Sequence, residues 1–235
     1  MIGTGKSRVY NPLEAEDCLK TLSAFKQMGV DIKRTDNYYL FKGSGLYGLK
    51  ETKDKIDCGN SGTTMRLLSG LLAGQSSSFV LTGDQSLCNR PMQRIIDPLK
   101  KMGADINADR DNNYAPLTIK GSTLTAINYK LPVASAQLKS ALLLANLYTE
   151  STMVLKEPKV SRDHTEIMME NLGLDIKKEG LKIEFSPKKN PEIPAVNYQV
   201  PGDFSQAAYF ITSALAIPDS ELLIKGINLN PTRTG

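Results

Sequence analysis

Leu19, Leu22, Phe25 and Met28 fall three positions apart, the spacing of one helical face, and the run stops at Gly29. Val30-Asp-Ile32, the polar Asp36-Asn37-Tyr38 and then Tyr39-Leu-Phe-Lys-Gly43 follow, which reads as strand, turn and strand. The same succession returns at Ile96–Met102-Gly103, Ile106, Asp111–Tyr114 and Leu117–Gly121. It returns again at Met169–Leu172-Gly173, Ile176, Glu179-Gly180 and Leu181–Phe185. Gly29, Gly103 and Gly173 each stand where a left-handed residue would close the helix. Their spacing of about seventy residues is too long for a solenoid repeat and suits a repeated subdomain.

A second pattern alternates with the first. From Asp57 to Gly74 a small polar loop runs straight into a helix that is apolar on nearly every side. Leu131–Ala145 and Val200–Ala216 repeat that arrangement. Helices of this kind are buried. Joined, the two patterns predict an α/β fold of βαβαββ subdomains around buried helices, copied about three times. The units fall at about 1–54, 55–125 and 126–199, forming one lobe (1–199) that lacks its first strand and helix. Residues 200–235 then read as the start of a second lobe, so the chain is expected to be a piece of a longer protein. The tail from Val200 resembles the missing half-unit in shape and is a candidate to fill its place. Ser186–Pro194, rich in Pro and Lys, reads as an exposed loop or hinge.

Composition narrows the function classes. The 235 residues are 40% hydrophobic and 23% charged, as in an ordinary globular protein. No apolar run has membrane-spanning length, and the N-terminus lacks a signal peptide's apolar core, so a cytoplasmic protein is expected. A net charge of +4, without a dense basic stripe, permits an anionic ligand and argues against nucleic acid. Cys18, Cys58 and Cys88 are odd in number and have no CxxC spacing, so free thiols are expected. His164 is the only histidine, which leaves no basis for a multi-His metal site.

The candidate chemistry lies where loops meet helices. Gly59 and Gly62 allow the backbone to approach a ligand closely, Asn60, Ser61, Thr63 and Thr64 supply hydrogen-bonding groups, and Arg66 follows one turn later. Unpaired N–H groups at a helix start favour phosphate or carboxylate. The segment is not a nucleotide P-loop, because no Gly-Lys-Ser/Thr closes it. Arg90 follows the predicted strand Ser78–Thr82 and precedes Pro91, which suits the first position of a helix. Its planar guanidinium fits bidentate anion binding.

Gly59-Asn-Ser-Gly-Thr-Thr-Met-Arg66, Asn89-Arg90-Pro91, Val133-Ala-Ser-Ala-Gln137 and Ser161-Arg-Asp-His-Thr-Glu166 occur in that order. In this combination the chain resembles the 5-enolpyruvylshikimate-3-phosphate synthases of the enolpyruvyl transferase family, from about Gly5 to its end and over roughly half of a full-length member. The resemblance implies two lobes of three βαβαββ units each, with helix N-termini aimed at a cleft between them. It implies transfer of the enolpyruvyl group of phosphoenolpyruvate to the 5-hydroxyl of shikimate 3-phosphate, by addition and then elimination, in a monomer with no metal or organic cofactor. By the same likeness Asn60, Gly62 and Arg90 would bind phosphoenolpyruvate, or glyphosate in its place. Ser135, Ala136, Gln137, Ser161 and Arg162 would bind shikimate 3-phosphate. Thr63 and Arg66 would brace the loop, His164 would act as a local hydrogen-bonding partner, and Asp203 would fall at the crossover between lobes.

The family's opening Lys-Ser-x-x-x-Arg segment would lie upstream of Gly5, and its proton-transfer groups in a second lobe. No catalytic residue is therefore expected here, and the isolated chain is expected to be inactive. Two rivals remain open. An enolpyruvyl transferase acting on UDP-N-acetylglucosamine usually carries a cysteine about five residues before the matching arginine, whereas Cys88 stands two before Arg90. A non-catalytic RNA-binding repeat protein is disfavoured by 6% aromatics and sparse arginine.

Overall fold

The computed structural model describes residues 1–234. The first part of the chain forms β1 (Lys6–Tyr10), α1 (Glu16–Gln27), β2 (Asp31–Arg34) and β3 (Tyr38–Lys42). Next come β4 (Ile56–Asp57), α2 (Gly62–Ala73), β5 (Ser78–Thr82), α3 (Gln85–Cys88), α4 (Gln93–Lys101), β6 (Asp105–Ala108), α5 (Asp109–Asn112) and β7 (Tyr114–Lys120). A third stretch forms β8 (Asn128–Lys130), α6 (Ala136–Asn146), β9 (Met153–Lys156), α7 (His164–Asn171), β10 (Ile176–Glu179) and β11 (Lys182–Phe185). β12 (Asn197–Gln199) and α8 (Phe204–Ala216) complete the order.

Three four-stranded sheets share one topology: β12-β1-β3-β2, β4-β5-β7-β6 and β8-β9-β11-β10. In each, the first two strands run parallel and the remaining pairs antiparallel. Helices α1, α4 and α7 each end on a glycine at positive φ, 87° at Gly29, 95° at Gly103 and 76° at Gly173. A Cβ is disfavoured there, and the chain reverses into the next strand.

β12 lies in sequence at the end of the third predicted unit, yet it pairs in parallel with β1, Val9 opposite Tyr198. It thus takes the position in the first sheet that β4 and β8 take in theirs. The place expected for the tail from Val200 is filled by the strand just before it, Asn197–Gln199, and not by α8. The loop from β12 to α8 (200–203) is as long as the loop from β4 to α2 (58–61), but only Ala207 of α8 is buried. Tyr209, Phe210 and Leu215 are exposed. An apolar cavity of about 580 Å³ lies beneath the first sheet, lined by Val9, Phe41, Leu67, Leu144, Met169 and Val196 among others.

The core is centred on α2 and α6, whose Leu68, Leu71, Leu72, Leu138, Leu142 and Leu143 are buried. Each such side chain contributes about 1.5–3 kcal/mol on removal from water. The two helices touch closely enough that a Cβ on Gly70 would stand 2.0 Å from the Ala141 carbonyl oxygen.

Two expectations need correcting. Leu19 does not join the buried face of α1; it is 43% exposed, while Phe25 and Met28 are buried. Ser186–Pro194 is not a free loop, because Pro187, Pro191 and Ile193 are buried and the Ile193 carbonyl accepts from the Thr4 N–H at 2.9 Å. Pro194 is exposed, and the chain runs on from it into β12 beside β1.

Candidate functional site

Ser61 caps α2, its Oγ accepting from the Thr64 N–H at 3.2 Å, so the helix starts at Gly62 with its first amides turned toward the loop. A Cβ on Gly62 would meet Arg66 Nη1 at 2.8 Å and Arg90 Nη1 at 3.4 Å. Gly62 therefore lies under two guanidinium groups. Asn60 holds the second of them, with its Oδ1 accepting from Arg90 Nη2 and its carbonyl oxygen accepting from Arg90 Nη1 at 3.3 Å. Asn60 Nδ2 donates to Asp84 at 2.7 Å, and Asp84 in turn caps α3. Asn60, Gly62 and Arg90 are thus brought together.

Arg90 does not sit at a helix start. α4 begins at Gln93 with Met92 as its cap, so Pro91 precedes the helix rather than opening it. Arg90 is instead fixed by Asn60 and by Ser86 Oγ, which accepts from its Nη2 at 3.3 Å. The preceding residues are held by Arg110, which donates to the Cys88 carbonyl and to Asn89 Oδ1 and stacks 4.1 Å over the Tyr114 ring. Arg110, Asp111 and Asn112 all have positive φ.

Ser135 caps α6 in the way Ser61 caps α2, accepting from the Leu138 N–H at 3.3 Å. Its own proton remains free for a ligand. Ala136 is the first helical residue. Gln137 reaches across to α2: its Oε1 accepts from Arg66 Nη1 at 2.7 Å, and its Nε2 donates to Thr63 Oγ1 at 2.8 Å. The starts of the two central helices are therefore joined through one amide. Arg66 and Thr63 brace the loops, and the bracing runs between helices rather than within one.

Ser161 and Arg162, on the approach to α7, line a cavity of about 530 Å³ together with Ser135, Gln137, Thr232 and Arg233. The last two were not legible as site residues, because the contact that brings them there spans 69 positions: Thr232 Oγ1 donates to Asp163 Oδ1 at 3.0 Å. Asn230 Nδ2 donates to the same oxygen at 2.8 Å, and Asn228 Nδ2 meets His164 Nε2 at 3.1 Å. His164, the first residue of α7, thus meets a partner 64 positions away rather than the local one expected. Asp203 caps α8 and pairs with Arg233 at 3.1 Å.

The electrostatics favour an anion. Burial, followed by the nearby Arg90 and Arg94 guanidiniums, pulls the Arg66 pKa below its usual value. Like charges gathered in a half-buried site are stabilised by a ligand of opposite sign. Arg66 and Arg90 direct their hydrogen bonds to the amides and hydroxyls of Gln137, Asn60 and Ser86 rather than to carboxylates. Among the described residues no group of three or more His, Cys, Asp and Glu side chains is placed to hold a metal ion. The arrangement can bind two anionic groups side by side, one over Gly62 and one between the starts of α6 and α7.

The profile of the EPSP synthase (3-phosphoshikimate 1-carboxyvinyltransferase) family matches residues 1–235. The chain is 50% identical over 235 residues to the 3-phosphoshikimate 1-carboxyvinyltransferase of Thermodesulfovibrio yellowstonii, matching all of this chain and 54% of that protein. It is 46% identical over 234 residues to the enzyme of that name from Oceanobacillus iheyensis, again over 54% of its length. Among solved structures, EPSP synthase from Acinetobacter baumannii superposes with a TM-score of 0.93 at 42% identity, over 99% of this chain and 52% of that one. The enolpyruvyl transferase NikO from Streptomyces tendae shares the fold, with a TM-score of 0.66 at 15% identity, over 91% of this chain and 50% of its own. The chain spans about half the length of the curated relatives it matches. With a family profile matched from end to end and helix starts converging on a cationic cleft, the chain belongs to the EPSP synthase family.

Proposed function

We propose that this chain supplies the binding surface for transfer of the enolpyruvyl group from phosphoenolpyruvate to the 5-hydroxyl of shikimate 3-phosphate. The observation that carries the reading is the Arg66–Gln137–Thr63 bridge, which puts the starts of α2 and α6 in one cleft. Two phosphorylated reactants must meet there for the hydroxyl oxygen to reach the enol carbon.

Asn60, Gly62 and Arg90 take phosphoenolpyruvate, with Arg90 pairing its anionic end and Gly62, which has no side chain, leaving room beneath it. Ser135, Ala136, Gln137, Ser161 and Arg162 take shikimate 3-phosphate, with Ser135 donating its free proton and Arg162 supplying charge. In the addition step the hydroxyl oxygen bonds to C2 of phosphoenolpyruvate, C3 gains a proton and the hydroxyl loses one. In the elimination step C3 gives up a proton, the double bond reforms and inorganic phosphate leaves. These steps need a general acid and base. The reading assigns this chain binding and orientation rather than proton transfer. Residues 200–235 open the second lobe, which agrees with an α8 that leaves the first. On this reading the protein acts in the cytoplasm as a monomer on small anions.

Isothermal titration tests the reading. Shikimate 3-phosphate is expected to bind saturably, and more tightly than shikimate. Salt-sensitive binding of single-stranded RNA with no response to shikimate 3-phosphate would replace the enzyme reading with an RNA-binding one.

A further inference from the structure

Behind the cleft lies a charged cluster with no solvent around it. Lys139 of α6 is 0% exposed, Glu157 1% and Glu166 of α7 4%. Lys139 Nζ stands 2.9 Å from Glu157 Oε2 and 2.6 Å from Glu166 Oε1. The other oxygen of Glu157, Oε1, accepts the hydroxyl proton of Ser161. Taking such groups out of water is costly, and apolar residues of the same volume are often as stable or more so. Stability alone is therefore a poor reason for the cluster. Its place in the fold offers a better one. Lys139 is two residues beyond Gln137 on the helix that carries one wall of the 530 Å³ cavity. Glu157 follows β9 and leads into the loop that carries the other wall, Ser161 and Arg162. A second tie between the two helices, Ser140 Oγ to Thr165 Oγ1 at 2.6 Å, lies beside it.

We propose that Lys139 is a positioning residue for the anion site, holding Glu157 so that Glu157 holds Ser161 and the Ser161–Arg162 loop faces the start of α6. The Ser161 hydroxyl gives its proton to Glu157, so what the chain of contacts fixes is the place of the loop, not a hydroxyl donor to the ligand. Lys139 touches no ligand in this scheme. The cluster holds one ammonium and two carboxylates, and burial pushes the Glu166 carboxyl up against the pull of Lys139. Lys139 lies between both carboxylates and so ties Glu157, at the head of the loop, to Glu166 on α7. The proposal rests on the reading that this cavity takes the phosphate of shikimate 3-phosphate.

The test compares Glu157→Gln with Glu157→Leu. Both leave Lys139 paired with Glu166, so neither strands a buried charge, but only Gln keeps an oxygen for Ser161 to donate to. Isothermal titration of shikimate 3-phosphate is expected to give Glu157→Gln within about threefold of the parent and Glu157→Leu weaker by about tenfold or more. Lys139→Met, which also leaves two buried carboxylates without their ammonium, is expected to weaken binding at least as much as the Leu variant. Shikimate, which lacks the phosphate, should bind all variants alike, which a general loosening of the fold would not produce. A ligand-free readout separates this proposal from the substrate reading: amide exchange at Ser161 and Arg162 should speed up in the Leu variant and not in the Gln variant. Equal affinities and equal exchange for Gln and Leu would overturn the positioning role. An unchanged exchange contrast with no shikimate 3-phosphate binding by the parent would overturn the substrate reading instead.

Discussion

Arg66 Nη1 and Gln137 Oε1 lie 2.7 Å apart although 71 positions separate the two residues. The bond crosses from α2 to α6 and is backed by Thr63 on the same amide. Gln137→Ala removes both ends of the bridge without touching the buried helix faces. We expect shikimate 3-phosphate affinity to fall by about tenfold, the scale of losing one charge-assisted hydrogen bond, with a melting temperature close to that of the parent. Calorimetric titration beside a thermal melt checks both. A collapse of the fold with affinity preserved in the remaining native fraction would assign Gln137 to structure instead.

Gly62→Ala tests the other side of the bridge. The added methyl would meet Arg66 Nη1 at 2.8 Å and Arg90 Nη1 at 3.4 Å. Both are the ends of flexible side chains, so they move rather than unfold the helix, and alanine is the better helix former. Stability is expected to hold or rise by up to about 1 kcal/mol. Phosphoenolpyruvate and glyphosate should bind more weakly, as titration of either would register.

Gly70→Ala has the opposite profile. Its methyl would stand 2.0 Å from the Ala141 carbonyl oxygen, and backbone cannot step aside as a side chain can. The central helices must separate, at a cost of about 3 kcal/mol or more. A urea denaturation midpoint well below that of the parent is expected, and an unchanged midpoint would refute the close packing of α2 on α6.

The Asp163 contact with the tail should be sensitive to acid. Burial alone would raise its carboxyl, but hydrogen bonds from Lys178, Asn230 and Thr232 outweigh it and bring the pKa from 3.8 down to about 2. A carboxyl depressed on folding contributes stability that is complete above its unfolded pKa and lost as pH falls through the folded one. The gap between the parent and Asp163→Asn should therefore be full above about pH 4 and close between pH 4 and 2. Urea midpoints across that range measure it, and a gap that does not change with pH would contradict the assignment.

Much of this was legible in the chain. The helix, glycine, strand, turn and strand succession around Gly29, Gly103 and Gly173 rests on local chemistry, and the three glycines do take left-handed φ. Ser61 and Ser135 cap α2 and α6, a role that serine at a helix start favours. What was not legible depends on contacts across many residues. β12 joins β1 through pairing between Val9 and Tyr198 that no local pattern encodes. Arg90 next to Pro91 fitted a helix start, but the preceding α3 turn and the grip of Asn60 decide its place. No local pattern singles out Lys139, and only the fold shows the two carboxylates that surround it.

The central claim is that the starts of α2, α6 and α7 form one anion-binding cleft. Amide shift mapping of the nitrogen-15-labelled chain with shikimate 3-phosphate tests it most directly. The account predicts saturable shifts at Ser135, Gln137, Ser161 and Arg162, carried through the bridge to Thr63 and Arg66. Shifts confined to the exposed apolar face of α8, or none at millimolar ligand, would contradict it.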